Sequence, residues 1–165
     1  MKKLISIIFI IAVSAAGIFL YLRNADVDVN YERFNMVAPG ILRTPVERFN
    51  NIVDYPFKEN YLIIGDTRIH YLDEGPKDGE IIYLLHGEPA WSYLFRKMIP
   101  ILTRAGYRVI APDMVGFGKS DKYVSIKDYS HQMHVDKMTQ LIVELDLNNV
   151  TAHVHDWGGL VGLRV

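Results

Sequence analysis

The residue best suited to covalent chemistry in this chain of 165 residues is Asp156. It follows an apolar run over 150–155, which is typical of a buried strand, and precedes Gly158 and Gly159, which open a predicted helix. A carboxylate is ionised at neutral pH and can attack an sp³ carbon directly, giving an ester that water must then hydrolyse. A helix N-terminus offers free N–H groups that keep such a carboxylate charged. The pattern predicts a nucleophile, with simple capping of the helix by Asp156 as the alternative.

The same junction half matches the Gly-x-Ser-x-Gly pattern at which α/β-hydrolase folds turn sharply and expose a nucleophile. Val154 replaces the first glycine and Asp156 replaces the serine. A His-Gly-Glu-Pro stretch follows a second apolar run over 81–86, where these folds supply an oxyanion-hole N–H. We therefore expect the backbone N–H groups of Glu88 and Trp157 to form an oxyanion hole, with an ordinary strand-to-helix turn as the alternative.

The surrounding pattern alternates strands with helices, which predicts an α/β-hydrolase fold with a mainly parallel sheet and helices on both faces. Because the chain stops about two turns into the last predicted helix, we expect the fold to be truncated after the nucleophile elbow. Residues 41–165 would form the N-terminal part of the core domain, and 24–40 a polar linker. The predicted strands cover 61–64 and 68–73 as a hairpin, 81–86, 108–111 and 150–155, and the predicted helices cover 92–105, 128–145 and residues from 158.

The N-terminus carries a membrane-type signal. Residues 4–22 contain no charge and follow Lys2 and Lys3, and a bilayer is spanned by about 20 apolar residues. We expect residues 1–23 to be a signal anchor or, since small residues at 13–16 would suit cleavage, a signal peptide. The catalytic domain would then lie on the periplasmic or extracytoplasmic side of the inner membrane, although Arg23 weakens this orientation.

Composition excludes several other classes. The chain has no cysteine and a net charge of −1 without a long basic cluster, so disulfides, thiolate metal sites and nucleic-acid binding are not expected. The stretch 118–120 resembles the end of a P-loop, but Asp113 stands where that motif needs glycine. Asp113 is predicted to fix its loop rather than react. No metal site is predicted, because no carboxylate pattern completes the two histidine pairs, His153 with His155 and His131 with His134.

Taken together, the two motifs make the sequence resemble the haloalkane dehalogenases, in particular the subfamily with glutamate after the His-Gly pair. The resemblance spans about 41–165 and implies hydrolytic cleavage of a carbon–halogen bond in a small halogenated alkane, without cofactor. The matching stretches are 42–45, 48–49, 55–57, 71–75, 86–100, 109–122 and 156–159.

The resemblance also assigns roles. Asp156 would be the nucleophile, and Trp157 would donate its indole N–H to the leaving halide, a packed aromatic being the alternative for this side chain. Glu88 and Trp157 would supply the oxyanion N–H groups. His155 departs from the family pattern, which usually has glutamine there. The catalytic histidine, its acidic partner and the cap domain would lie beyond residue 165, so this chain alone is not expected to turn over.

Two other functions remain open at this stage. Epoxide hydrolases share the aspartate elbow, and Glu88, in place of the apolar residue common there, favours a dehalogenase. The third possibility is a membrane-anchored, hydrolase-like binding domain without catalysis, against which the retained Asp156, Trp157 and oxyanion loop argue.

Overall fold

The computed structural model describes residues 35–165, so the predicted membrane-targeting segment and most of the predicted linker lie outside the described residues. Within this range, no helix has the length and apolar character needed to cross a bilayer. The strands are β1 (Met36–Ala38), β2 (Ile41–Leu42), β3 (Asn60–Ile64), β4 (Thr67–Glu74), β5 (Ile81–Leu85), β6 (Arg108–Pro112), β7 (Lys122–Tyr123) and β8 (Thr151–Val154). The α-helices are α1 (Ile99–Arg104), α2 (His131–Glu144) and α3 (Trp157–Gly162).

The central sheet has five strands in the order β3-β4-β6-β5-β8. β5 lies parallel to both β6 and β8, whereas β4 is antiparallel to both of its neighbours. The predicted hairpin is confirmed, with Ile64 opposite Thr67 around a turn at Gly65. The sheet is therefore mixed, because β4 runs against the direction shared by the other strands.

Helices cover both faces of this sheet, as predicted. The β strands alternate their side chains, so that Tyr83 and Leu85 pack on the face covered by α2 and α3. Leu84 points to the opposite face, where it packs with Ile99 of α1 and with Phe95. The apolar run of β5 is continuous because both faces are buried.

The folded region begins earlier than the predicted boundary at residue 41. Met36–Ala38 pairs with β2, which also pairs with β7, giving a small antiparallel sheet. Gly40 has a φ of +75° in the tight connection between β1 and β2. Arg43 then binds Asp121 through two N–H···O bonds of 2.7 and 2.9 Å, which ties this segment to the core. The stretch taken as linker is thus partly strand.

Two other elements differ from the predictions. The predicted helix 92–105 is divided into a 3-10 turn at Ser92–Phe95 and α1. β8, predicted as buried, is mostly exposed along Thr151–Val154, because within the described residues it forms an edge of the sheet. A run of apolar residues indicates a strand but not how many neighbours it has.

Candidate active site

The turn between β8 and α3 is sharp and strained at Asp156. This residue has φ 55° and ψ −124°, a conformation that non-glycine residues rarely adopt and that costs about 1–3 kcal/mol. The backbone N–H of His155 still bonds to the Leu85 carbonyl at 3.0 Å, so the strand pairing continues up to the turn. The strain is confined to the residue whose side chain is lifted out of the sheet.

Small residues allow α3 to approach the sheet closely. A Cβ on Gly158 would lie 2.4 Å from the Leu85 carbonyl oxygen and 2.5 Å from that of His86. A Cβ on Gly162 would lie 2.8 Å from Cγ1 of Val154. Gly159 has more room, since its nearest neighbour would be 3.8 Å away. The first glycine after Trp157 is therefore sterically required, and the second is not.

The Asp156 carboxylate is exposed and meets the oxyanion loop, the segment 86–91 after β5. The Glu88 N–H donates to Asp156 Oδ1 at 3.0 Å. The backbone N–H groups of Trp157 and Glu88 lower the pKa of Asp156 below its ordinary value, and the nearby His155 acts in the same direction. Within residues 35–165, the Asp156 side chain does not accept the hydrogen bond from α3 that a helix N-cap would make. The carboxylate is thus ionised and accessible.

Gly87 permits the close contact between the oxyanion loop and the Asp156 carboxylate. A Cβ at that position would lie 2.4 Å from Asp156 Oδ1, so any larger residue would push the loop away from the carboxylate. The Gly87 carbonyl accepts the Ala90 N–H at 2.9 Å, which closes the turn after the loop's glycine. The two predicted oxyanion donors therefore come together at the predicted nucleophile.

A cavity of about 590 Å³ opens beside the elbow. Trp157, 44 % exposed, and Glu88 are among its lining residues, so Trp157 is not a fully packed core aromatic. Most of the remaining lining is apolar or aromatic, which suits a small apolar ligand. The other lining residues are Met114, Gly116, Phe117, Ile126, Tyr129, Ser130, His131, His134 and Val161.

Asp113, at the end of β6, fixes its loop as the sequence predicted. Its buried carboxylate accepts the Ser92 N–H at 2.8 Å and the Lys119 N–H at 2.9 Å. His70 Nδ1 lies 2.9 Å from Asp113 Oδ2, and both side chains are completely buried. Burial acts to raise the pKa of Asp113, but the His70 hydrogen bond and charge hold it below its ordinary value.

Sequence reasoning missed the His70–Asp113 pair, because the two residues come from different strands and no short motif links them. Within residues 35–165, no group of three His, Asp or Glu side chains could hold a metal ion. His131 bonds to the Leu160 carbonyl at 3.0 Å instead.

The family described as alpha/beta hydrolase fold matches residues 80–165, slightly more than half of the chain. The chain therefore belongs to the α/β-hydrolase fold family, and the predicted fold class is confirmed to that extent.

The resemblance to haloalkane dehalogenases is also confirmed. The chain is 58 % identical over 130 residues to a haloalkane dehalogenase of Psychrobacter cryohalolentis, a match that covers 76 % of this chain and 43 % of that protein. The structure of haloalkane dehalogenase DpaA from Paraglaciecola agarilytica NO2 has a TM-score of 0.72 and 49 % identity, covering 74 % of this chain and 43 % of that one. The chain thus spans less than half the length of the dehalogenases it matches.

A more distant match is an epoxide hydrolase from Vigna radiata. Its structure has a TM-score of 0.60 and 31 % identity, covering 64 % of this chain and 34 % of that one. Both structures are therefore similar in fold to about two thirds to three quarters of this chain.

Proposed function

We propose that this protein is a haloalkane dehalogenase, which hydrolyses a carbon–halogen bond of a small halogenated alkane through an aspartyl ester. The observation that carries the proposal is the Asp156 carboxylate, which is exposed at a strained elbow and kept ionised by the backbone N–H groups of Glu88 and Trp157, two residues that line a largely apolar cavity. The 58 % identity to a named dehalogenase supports the same reaction class.

In the first step, a carboxylate oxygen of Asp156 attacks the carbon that bears the halogen. The carbon–halogen bond breaks, the halide leaves with the bonding electrons, and the substrate carbon becomes esterified to Asp156. The Trp157 indole N–H, which can only donate, would bind the departing halide at the rim of the cavity. No proton is transferred in this step, so it needs no base.

In the second step, water adds to the ester carbonyl. The backbone N–H groups of Glu88 and Trp157 would stabilise the oxyanion, since they already act on the free carboxylate. Collapse releases an alcohol and a proton and restores Asp156. Water needs a general base, and within residues 35–165 no imidazole is hydrogen-bonded to Asp156, so we assign the base to none of them.

The first step can be tested alone. The chain is incubated with 1-bromobutane, bromide is measured, and peptides are examined by mass spectrometry for a butyl ester. We expect the ester on the peptide containing Asp156, with bromide released in equal amount. Asp156→Asn should give neither product. Asp146→Asn is the matched control, because Asp146 is also exposed and also has a positive φ, of 48°, but lies in the loop after α2. Equal bromide release by Asp156→Asn and the unmodified chain would refute the proposal.

Epoxide hydrolysis is the second candidate, supported by the structural match to the Vigna radiata enzyme. The same carboxylate would attack an epoxide carbon and break its bond to the ring oxygen, and the alkoxide would take a proton from water, so that a hydroxyalkyl ester forms without release of halide. Styrene oxide in place of bromobutane tests this directly, and an adduct with the epoxide alone would favour the second function. No adduct with either reagent would indicate a non-catalytic binding domain.

We further propose that residues 4–22 anchor the protein in the inner membrane or direct its export, with the hydrolase domain on the extracytoplasmic side. The uncharged run after Lys2 and Lys3 supports this. Cell fractionation with and without residues 1–23, followed by protease treatment of intact spheroplasts, tests it. Recovery of the full chain in the cytosolic fraction would contradict it.

A further inference from the structure

His86 is the first residue of the oxyanion loop, and its imidazole is completely buried against the loop that follows β6. Its Nε2 lies 3.0 Å from the Met114 backbone nitrogen, and its Nδ1 lies 3.0 Å from the Gly87 carbonyl oxygen. The mechanism above does not use this side chain. Both of its nitrogens are nevertheless bound to backbone groups within or beside the site.

The chemistry of these two partners determines the protonation state of the ring. The Met114 N–H can only donate, so Nε2 must present its lone pair. The Gly87 carbonyl can only accept, so Nδ1 must carry the proton. His86 is therefore the neutral Nδ1–H tautomer, because a proton on Nε2 would face the Met114 N–H.

The bond to Gly87 acts on the nucleophile through a single peptide unit. The Gly87 carbonyl and the Glu88 N–H belong to the same planar, trans peptide group, in which they point in opposite directions. Fixing the carbonyl therefore fixes the direction of the N–H. That N–H donates to Asp156 Oδ1 at 3.0 Å.

We propose that His86, held as the neutral Nδ1–H tautomer, is a positioning residue that aims the Glu88 N–H at the Asp156 carboxylate. It shares this task with the Ala90 N–H, which also donates to the Gly87 carbonyl. The catalytic meaning of this role rests on the proposed function of Asp156, whereas the hydrogen-bond geometry does not.

The surroundings of His86 favour the neutral ring. Burial lowers its pKa, the charge of Asp113 opposes this, and His155 acts in the same direction as burial. His134 of α2 is also close enough to interact with the charge of His86. The fourth neighbour is the uncharged ring of Phe117, whose centroid is 5.2 Å from that of the imidazole. Acidification would have to place a proton against the Met114 N–H.

Two amide substitutions separate the two bonds of the ring. The asparagine amide can occupy the place of Nδ1 and still donate to Gly87, but it does not reach Met114. The longer glutamine amide can occupy the place of Nε2 and accept from Met114, but it leaves the Gly87 carbonyl without this donor. Each variant thus loses one hydrogen bond, and neither amide titrates.

The test is a carbon-13 NMR titration of the Asp156 carboxyl in the full chain with labelled aspartate, its signal being assigned by its loss in Asp156→Asn. We expect His86→Gln to raise the pKa of Asp156 relative to the unmodified chain, because the Glu88 N–H is less well aimed. We expect His86→Asn to leave the pKa of Asp156 close to that of the unmodified chain. Thermal unfolding, measured alongside, should be lowered by similar amounts in both.

A purely structural role would shift the Asp156 titration equally in both variants, or in neither, and either result would overturn the proposal. If both variants fail to fold, nitrogen-15 NMR of the unmodified chain decides, because a proton found on Nε2 at neutral pH refutes it. The proposed function is tested separately by bromide release. Bromide release by Asp156→Asn, together with the expected titration pattern, would refute the dehalogenase and leave the positioning role standing.

Discussion

Asp113 and Asp156 follow the two strands that flank β5 in the sheet, yet they serve different purposes. Asp113 directly follows β6 and is completely buried, whereas Asp156 lies two residues after β8 and is exposed. Hydrogen bonds lower the pKa of both carboxylates, so both are ionised. Ionisation therefore does not distinguish the nucleophile from the structural aspartate.

The difference lies in what else each carboxylate touches. Asp113 accepts hydrogen bonds from Ser92, Lys119 and His70, which join three segments of the chain. Asp156 receives backbone N–H groups at a positive φ and is exposed, and its neighbours Glu88 and Trp157 line the cavity. An aspartate at a strand end is thus a nucleophile candidate when the turn exposes it, and a structural residue when the loops enclose it.

The largest expected effect comes from removing the charge at the exposed site. Asp156→Asn should reduce alkylation by 1-bromobutane by about 10⁴-fold or more, because the amide is a poor nucleophile. The free energy of unfolding should change by no more than about 0.5 kcal/mol, since the exposed side chain supports little packing. Bromide release and urea unfolding measure the two quantities. A large loss of stability with retained alkylation would invert the comparison.

The buried aspartate should show the opposite pattern. Asp113→Ala leaves the His70 ring and two backbone N–H groups without their partner in a dry interior, so we expect a loss of about 3–5 kcal/mol in unfolding free energy. Urea unfolding followed by circular dichroism measures it. A loss below 1 kcal/mol would require water to replace the carboxylate, contrary to the burial of the site.

Much of this arrangement could be predicted from local signals. The hairpin, the buried strands β5 and β6 and the glycines after Asp156 each follow from short patterns, and so does the oxyanion loop that carries Glu88, whereas the exposure of β8 does not. The pairing of β1 with β2 could not be predicted, because its hydrogen bonds are made by the backbone and its residues are mostly exposed. The His70–Asp113 pair could not be predicted either, since it depends on a contact between residues far apart in the sequence.

The glycines of the elbow offer a smaller, purely steric test. Gly158→Ala should destabilise the fold by about 1–3 kcal/mol and distort the turn at Asp156, because its Cβ meets two backbone carbonyls. Gly159→Ala is the matched control and should stabilise the fold by up to about 1 kcal/mol, since it has room and alanine favours a helix. Urea unfolding compares them, and equal effects would contradict the requirement for close approach at Gly158.

The last expected effect is a dependence of stability on pH, which we assign to buried histidines and not to Asp113 or Asp156. Both carboxylates have pKa values below the ordinary range, so neither accounts for a stability change between about pH 6.5 and pH 5. Burial lowers the pKa of His134 to about 4. His134 is therefore protonated below about pH 6.5 in the unfolded chain, but only near pH 4 in the folded chain. Stability should therefore be complete above pH 6.5 and fall as the pH decreases towards 4.

His134→Gln should make this fall shallower without abolishing it, because the pKa of buried His86 is lowered as well. Asp156→Asn, which changes an exposed carboxylate rather than a buried ring, should leave the slope between about pH 6.5 and pH 5 unchanged. Urea unfolding at a series of pH values measures the slopes. If the unfolding free energy of His134→Gln depends on pH as steeply as that of the unmodified chain, the folded protein must accommodate the protonated His134 ring, through water or a hydrogen-bond partner. The acid sensitivity would then have to be assigned to His86 and the oxyanion loop.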